Sequence, residues 1–174
     1  MAEGHHPLVQ LARCAIEAYV QHGRRLKAED APVSVDDGPA GAFVTLHSAG
    51  TGELRGCIGT IQPTEPSLTQ EVINNAISAA TRDPRFPPVR ARELDDLEIE
   101  VSVLYPPESI GSVDELDPRE YGVIVRRGWK RGLLLPDIPE IEDAATQVRY
   151  ARMKADIGPD EPVELERFRV EKYL

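Results

Sequence analysis

Apolar residues recur three and four residues apart in three parts of the chain. These parts are residues 7–23, 67–83 and 139–158, and each is bounded by glycine, proline or a capping side chain. Such spacing places the apolar side chains on one face of a helix. Ser67 and Gln70 also have the spacing of a capping box. The pattern therefore predicts about three main helices.

Alternation of apolar and polar residues marks the predicted strands. They are residues 42–48, 52–61, 97–103, 123–125, 133–135 and 163–170. The first two are joined by a short glycine-containing turn, as are the fourth and fifth, so each pair predicts a hairpin. In the last strand the alternation changes phase around Arg167, which predicts a bulge. Because hairpins are mixed with helices, we expect an α+β fold with a mostly antiparallel sheet.

The second predicted strand contains residues that strands do not favour. Residues 54–60 read Leu-Arg-Gly-Cys-Ile-Gly-Thr, with two glycines three residues apart. Glycine weakens a strand interior, so this spacing predicts a bulge, a bend, or the close approach of another backbone or a ligand. Alternation places Leu54, Gly56 and Ile58 on the core face and Arg55 and Cys57 on the opposite face. From both strands of the hairpin, that opposite face also carries Phe43, Thr45, His47, Glu53 and Gly59.

Composition narrows the class of protein. The chain has 174 residues, a formal net charge of -10 and a pI near 4.9. Surfaces that bind nucleic acid or anionic membranes are basic, so the charge disfavours both partners. No apolar run approaches the ~20 residues of a membrane helix, and the N-terminus does not resemble a secretory signal. We expect a cytoplasmic protein that binds neither nucleic acid nor a membrane.

The cysteines and histidines lack the spacing of a metal site. Cys14 and Cys57 are the two cysteines, and they fall in a predicted helix and a predicted strand, where we expect reduced thiols. The four histidines are scattered, and no Cys-x-x-Cys or His-x-x-x-His pattern occurs. The sequence therefore predicts no metal ligands, and it identifies no cofactor.

Two further groups of charged residues are candidates for binding. Prolines bracket Arg85 in an extended segment after the second helix, where it is held either at a site or in a salt bridge to Asp83. Residues 126–131 read Arg-Arg-Gly-Trp-Lys-Arg and form the tip of the second hairpin. This tip is a candidate for binding an anionic ligand or an acidic partner, with simple solvation as the alternative. Glu98 and Glu100 on the third strand are either catalytic carboxylates or solvated ones.

The segment 54–60 resembles the signature of the AMMECR1 family. Residues 43–46, 83–86, 100–104 and 132–136 resemble further family segments in the same order, so the match extends from about residue 8 to residue 170. The resemblance implies a single domain over residues 1–174, with a larger lobe, a smaller lobe and a cleft between them beside the signature strand. The stretch around residues 24–66 is a candidate for the smaller lobe.

The same resemblance bears on partners and on chemistry. It implies a frequent association with Memo-like and radical-SAM proteins, whereas the family is largely without an assigned reaction. Two places differ from the family pattern: Asp137 stands where members often carry Gln, and residues 153–156 read Met-Lys-Ala-Asp instead of a Cys-x-Lys-Ala-Gly-like segment. The second difference weakens any role for a second thiol.

Two functions remain open at this point. The first is an enzyme that uses Cys57 as a nucleophile or covalent carrier. A neighbouring cation favours the thiolate form, so Arg55 and Arg85 are candidate activators of this thiol. His47 is then the candidate base, with Glu100 as the group that orients it.

The second function is a non-catalytic module that binds a small molecule, a peptide or a partner protein at the same cleft. Its glycines would let the ligand approach the strand backbone, while its arginines would hold an anionic group. The candidate ligand-binding residues are Arg55, Gly56, Gly59, Thr60, Asp83 and Arg85.

Overall fold

The computed structural model describes residues 4–33, 35 and 38–174. The backbone forms two compact units, Met1–Leu104 with Glu171–Leu174 and the smaller Tyr105–Val170. Residues 24–66, the candidate for the smaller lobe, all belong to the first unit, and residues 34, 36 and 37 within that range lie outside the described residues. The single domain over residues 1–174 stays a prediction.

Three α-helices lie where the apolar spacing predicts them. They are α1 (Pro7–His22), α2 (Leu68–Thr81) and α3 (Ala144–Lys154). Gly23 ends α1 with a φ of +64°, a left-handed conformation that glycine adopts without strain. The hydroxyl of Ser67 accepts a hydrogen bond from the Gln70 N–H at 3.2 Å. The Gln70 side chain bonds to Asn74 and Ala28 instead of returning to Ser67, so the predicted capping box forms only in part.

Helix α3 is shorter than the predicted helix over residues 139–158. It begins after Asp143, whose carboxylate accepts a hydrogen bond from the Thr146 N–H at 2.7 Å. It ends before Asp156, which has a φ of +57°. Aspartate tolerates this left-handed conformation better than most residues. Asp156 therefore adopts the left-handed conformation that commonly follows the end of a helix.

The strands pair in antiparallel fashion, as predicted. They are β1 (Gly41–Ser48), β2 (Leu54–Thr60), β3 (Leu97–Leu104), β4 (Glu108–Ile110), β5 (Tyr121–Arg127), β6 (Lys130–Leu134) and β7 (Glu164–Tyr173). In the first unit β1 lies between β2 and β3. Apolar side chains on one face of these strands pack against α1 and α2, and they include Val44, Leu46, Ile99 and Val101. This packing leaves the other face of the three strands for polar side chains.

The second unit also has antiparallel strands that pack against helical structure, here the single α-helix α3. Strand β7 pairs with β4 and β5, and β5 pairs with β6. The pairing of β7 with β5 runs from Glu164 to Arg169 without a register shift, so the bulge predicted around Arg167 is wrong. The apolar–polar alternation changes phase because apolar residues lie on both faces of β7. Leu165 packs against the apolar core that includes residues of α3, whereas Phe168 lies on the other face against Gly122. Within the described residues, no helix is both long and apolar enough to cross a membrane.

Candidate functional site

Cys57 lies in a row of three side chains that crosses the first three strands. Thr45 on β1 is the cross-strand partner of Cys57 on β2 and of Glu100 on β3. Directly opposed residues of antiparallel strands present their side chains on the same face. The Thr45 Oγ1 and Cys57 Sγ atoms are 3.3 Å apart, a hydrogen-bond distance for sulfur. The sequence placed Thr45 on this face but did not identify it as a site residue.

A register shift separates this row from the turn of the hairpin. Leu46 pairs with Gly56, but His47 pairs with Leu54, which leaves Arg55 as the extra residue of a bulge. Leu54 therefore shares a face with His47, and its predicted position on the core face is wrong. The imidazole of His47 makes no hydrogen bond to Cys57 or Glu100 in the described part of the chain. The structure therefore does not show the predicted base in contact with the thiol.

A buried carboxylate ties the Cys57 backbone to Arg85. Asp83 is 4% exposed and follows α2, which ends near Pro84 because proline disfavours helical geometry at the preceding residue. Its Oδ2 atom accepts hydrogen bonds from the Cys57 N–H at 2.9 Å and from Arg85 Nη2 at 2.7 Å. Its Oδ1 atom accepts from the Arg85 N–H and from Arg85 Nε, both at 3.0 Å. The salt bridge considered from the sequence is present, and it also reaches β2.

The charges of this pair stabilise each other. The hydrogen bond from Arg85 is the main reason why the pKa of Asp83 lies well below its usual range, and the Cys57 N–H adds to this effect. The pKa of Arg85 is raised, chiefly by its hydrogen bond to Asp83. The Arg85 side chain is nevertheless 56% exposed, and its Nη1 atom makes no hydrogen bond within the described residues. Arg85 is thus a fixed guanidinium with donors still facing outward.

Arg55 is also bound by a carboxylate, one that the sequence analysis missed. Its Nε and Nη2 atoms donate to the two carboxylate oxygens of Glu93 at 2.9 and 3.2 Å. Its side chain is only 12% exposed. The hydrogen bond from Arg55 lowers the pKa of Glu93, which also accepts from the Arg90 N–H at 2.7 Å. Arg55 therefore fixes the bulge of β2 to the turn of residues 90–93, and its charge is largely neutralised.

Comparison with known proteins identifies the family. The AMMECR1 family model matches residues 9–173. The chain belongs to the AMMECR1 family. A Thermotoga maritima protein is 51% identical over 172 residues, which cover 98% of each chain. A Methanothermobacter thermautotrophicus protein is 44% identical over 164 residues, which cover 88% of this chain and 82% of the relative.

Two other comparisons extend this AMMECR1 assignment. The crystal structure of an uncharacterised protein from Pyrococcus horikoshii aligns with a TM-score of 0.78 at 37% identity, covering 95% of this chain and 88% of that one. A Clostridium acetobutylicum protein is 41% identical over 169 residues, which cover 96% of this chain and only 36% of the relative. The AMMECR1 chain thus corresponds to about a third of that longer protein.

The glycines of the AMMECR1 signature strand admit other parts of the protein. A Cβ atom on Gly56 would lie 2.3 Å from the Ala79 carbonyl oxygen of α2. A Cβ atom on Gly59 would lie 2.2 Å from the ring of Phe43, its partner on β1. The sequence analysis left open a bulge, a bend, or the close approach of another backbone or a ligand at these glycines. At Gly56 the structure shows the close approach of another backbone, that of α2. On the side where a Cβ would stand, α2 fills the space beside Gly56 and the Phe43 ring fills the space beside Gly59.

Thr60, the last residue of the signature strand, takes part in a buried network. Glu71 on α2 is 1% exposed and accepts hydrogen bonds from the hydroxyl of Thr60 and from Thr64 and Glu65. Asn75 donates to Thr60 Oγ1 at 3.1 Å and to the Ala42 carbonyl at 2.8 Å. The network joins the end of β2 to α2. The sequence analysis did not identify Glu71. Its position three residues after Leu68, on the apolar face of the helix, is the sequence feature that could have predicted its burial.

Proposed function

We propose that this AMMECR1 chain is a binding module that receives an anionic group, such as the carboxylate of a small molecule or peptide, beside Cys57. The observation that carries the proposal is the contact of buried Asp83 with both the Cys57 N–H and the exposed Arg85. Arg85 is the receptor of the anionic group. Thr45 and Cys57 supply further polar atoms on the adjacent sheet face.

The energetics of Asp83 support this role. Burying a carboxylate is costly unless hydrogen bonds compensate for the lost water. Here all four compensating hydrogen bonds come from two residues, Cys57 and Arg85. An arginine side chain ordinarily loses rotamer freedom when it binds a ligand. Because Asp83 already fixes this side chain, binding at Arg85 carries less of that entropic cost.

The remaining donors of Arg85 define the chemistry of the ligand. Asp83 occupies Nε and one hydrogen of Nη2, so Nη1 and the other Nη2 hydrogen are available. Neighbouring N–H groups of a guanidinium match the two oxygens of a carboxylate or phosphate. Because Asp83 cancels the positive charge, we expect the selectivity to depend on hydrogen-bond geometry as well as on charge.

A second function, a Cys57-dependent enzyme, has one observation in its favour. The Thr45 hydroxyl lies 3.3 Å from Sγ, where it can donate a hydrogen bond to a thiolate. Against this function, Glu93 and Asp83 neutralise Arg55 and Arg85, the two cations considered as activators.

An association with Memo-like and radical-SAM proteins is compatible with either function. The longer Clostridium relative supports an association with some second protein module, since the matched region is 36% of that chain.

Alkylation of Cys57 by two reagents tests the binding proposal. Iodoacetate is anionic and iodoacetamide is neutral, and both need the same thiolate, so the ratio of their rates reports on the attraction of an anion. We expect this ratio to be about five-fold higher at Cys57 than at Cys14, a difference of roughly 1 kcal/mol. Cys14 is an internal reference whose pKa is raised by burial and by Glu17, so the deciding comparison is between the unaltered chain and the arginine variants at Cys57 itself.

Two matched arginine variants complete this test. Arg85→Gln should lower the ratio at Cys57 to the value at Cys14. Arg82→Gln, an exposed arginine three residues away whose side chain makes no hydrogen bond within the described residues, should leave it high. Equal ratios at Cys57 and Cys14 in the unaltered chain would contradict the binding proposal. A Cys57 that reacts much faster than a free cysteine thiol with both reagents, at equal ratios, would favour the enzyme instead.

A further inference from the structure

The hairpin of β5 and β6 carries an exposed tryptophan at its tip. Trp129 is 89% exposed, more than Met153 at 66% and Tyr150 at 41%, the next most exposed large apolar side chains of the second unit. Tryptophan is enriched among the residues that dominate the binding energy of protein interfaces. A side chain of this size in water is therefore a candidate contact residue. It belongs to the second unit, whereas Cys57 belongs to the first.

The structure holds Trp129 in a defined position. Arg127 and Lys130 are paired across the hairpin, so Gly128 and Trp129 form a two-residue turn. Gly128 has a φ of +59°, as the first residue of a type II′ turn requires. Arg127 Nη1 donates to the Pro162 carbonyl at 2.9 Å, and Lys130 Nζ donates to the Asp156 carbonyl at 2.7 Å. Both flanks of the turn are thereby fixed to the rest of the unit.

The charge around the ring indicates the chemistry of a partner. Four cations lie within residues 126–131 of a chain whose net charge is -10. The exposed Arg131 makes no side-chain hydrogen bond or ion pair within the described residues. Arg127 and Lys130 have only long ion pairs, 3.5 Å to Glu161 and 3.8 Å to Asp156, which a partner carboxylate could replace. The tip thus combines an apolar ring with available cations.

Shallow clefts continue from the ring along the start of β7. One is lined by Trp129, Lys130, Arg127 and Glu161. A second shares Arg127 with it and extends to residues 162–164. An extended segment that covers Trp129 can therefore continue between the hairpin and β7.

We propose that the tip formed by residues 126–131 docks an acidic, apolar segment of a partner protein. An apolar side chain of the segment covers Trp129, and its carboxylates bind Arg131 and the outer N–H groups of Arg127 and Lys130. A protein segment fits better than a nucleic acid, because the chain has a net charge of -10 and the basic residues of the tip are confined to a stretch of six residues. Binding to a nucleic acid requires a basic surface that neutralises several phosphates.

Trp129 is the single tryptophan of the chain, so its fluorescence reports on the tip alone. The probe is a short peptide of alternating glutamate and leucine, with alternating lysine and leucine as the control peptide. The acidic peptide should shift the emission to shorter wavelength in a saturable way, and added salt should weaken its binding. Arg131→Ala should weaken binding about three-fold, the usual size of one exposed charge contact. Arg119→Ala, an exposed arginine of the same unit with no side-chain partner within the described residues, should not.

Four outcomes would overturn the docking proposal. They are no emission shift with the acidic peptide, an equal shift with the lysine peptide, tighter binding of an oligothymidylate, and a shift that grows with protein concentration in the absence of peptide. The last of these would assign the tip to contacts with a second copy of the chain. A fluorescently labelled acidic peptide tests whether the ring itself binds. Its fluorescence anisotropy should change when the unaltered chain is added and should not change when Trp129→Ala is added.

Discussion

Gly56→Ala should lower the free energy of unfolding by about 3 kcal/mol, the upper end of the usual cost of overpacking. The added Cβ would lie 2.3 Å from the Ala79 carbonyl oxygen, which is backbone and cannot move without displacing α2. Urea-induced unfolding, followed by circular dichroism, measures the change. A similar close contact between a strand glycine and a helix backbone occurs in the second unit, where a Cβ on Gly132 would lie 2.1 Å from the Ala151 carbonyl oxygen of α3.

Gly50→Ala is the matched control for this substitution. Gly50 lies in the turn between β1 and β2, and the nearest atom to its added Cβ would be a side-chain oxygen of Asp96 at 3.6 Å. The unfolding free energy of Gly50→Ala should differ from that of the unaltered chain by less than about 0.5 kcal/mol. If Gly56→Ala were equally neutral, the glycine would not serve helix packing, and the open backbone for a ligand would return as its explanation.

Asp83→Asn should lower the free energy of unfolding by about 2 kcal/mol at neutral pH, because the Cys57 N–H and the Arg85 N–H lose a buried, charged acceptor. The effect has a defined pH dependence. The pKa of Asp83 is lower in the folded chain than its unfolded value of about 3.9. Its ionisation therefore stabilises the fold above about pH 4, and this contribution is lost as the pH falls towards the folded pKa.

The measurement is the difference in unfolding free energy between the unaltered chain and Asp83→Asn from pH 7 down to the acid limit of folding. We expect the difference to be constant above about pH 5 and to shrink below about pH 4. Asp95→Asn, an exposed aspartate in the turn before β3, should show no such difference. A difference that grew as the pH fell would mean that Asp83 is not held in its ionised form.

Local sequence signals predicted much of the fold. The glycine at position 23, the serine at position 67 and the proline at position 84 mark helix ends by short-range chemistry, and the structure has helix ends beside them. Alternation along the hairpin predicted that Cys57 and Thr45 share a face, whereas the pairing of Thr45 with Glu100 on β3 depends on distant residues. The Asp83–Arg85 pair involves residues two positions apart, so local sequence could suggest it.

Features that depend on distant residues could not be predicted. The bulge at Arg55 shifts the pairing by one residue, and a shift of one residue moves a side chain to the other face of a strand. The partner of Arg55 is Glu93, 38 residues away, in a turn that has no pattern pointing back to β2. The glycines showed that something approaches the strand, but only the packed structure identifies α2 and Phe43 as what approaches.

The central claim is that Asp83 positions Arg85 as an anion receptor beside Cys57. The most direct test is the ratio of iodoacetate to iodoacetamide rates at Cys57 in Asp83→Asn, measured where the variant is folded. If charge alone attracted the anion, removal of the carboxylate would leave Arg85 uncompensated, and the ratio would rise. If the position of Arg85 governs binding, the released side chain loses its fixed geometry, and the ratio should fall towards that of Cys14. A rise in the ratio would contradict the account.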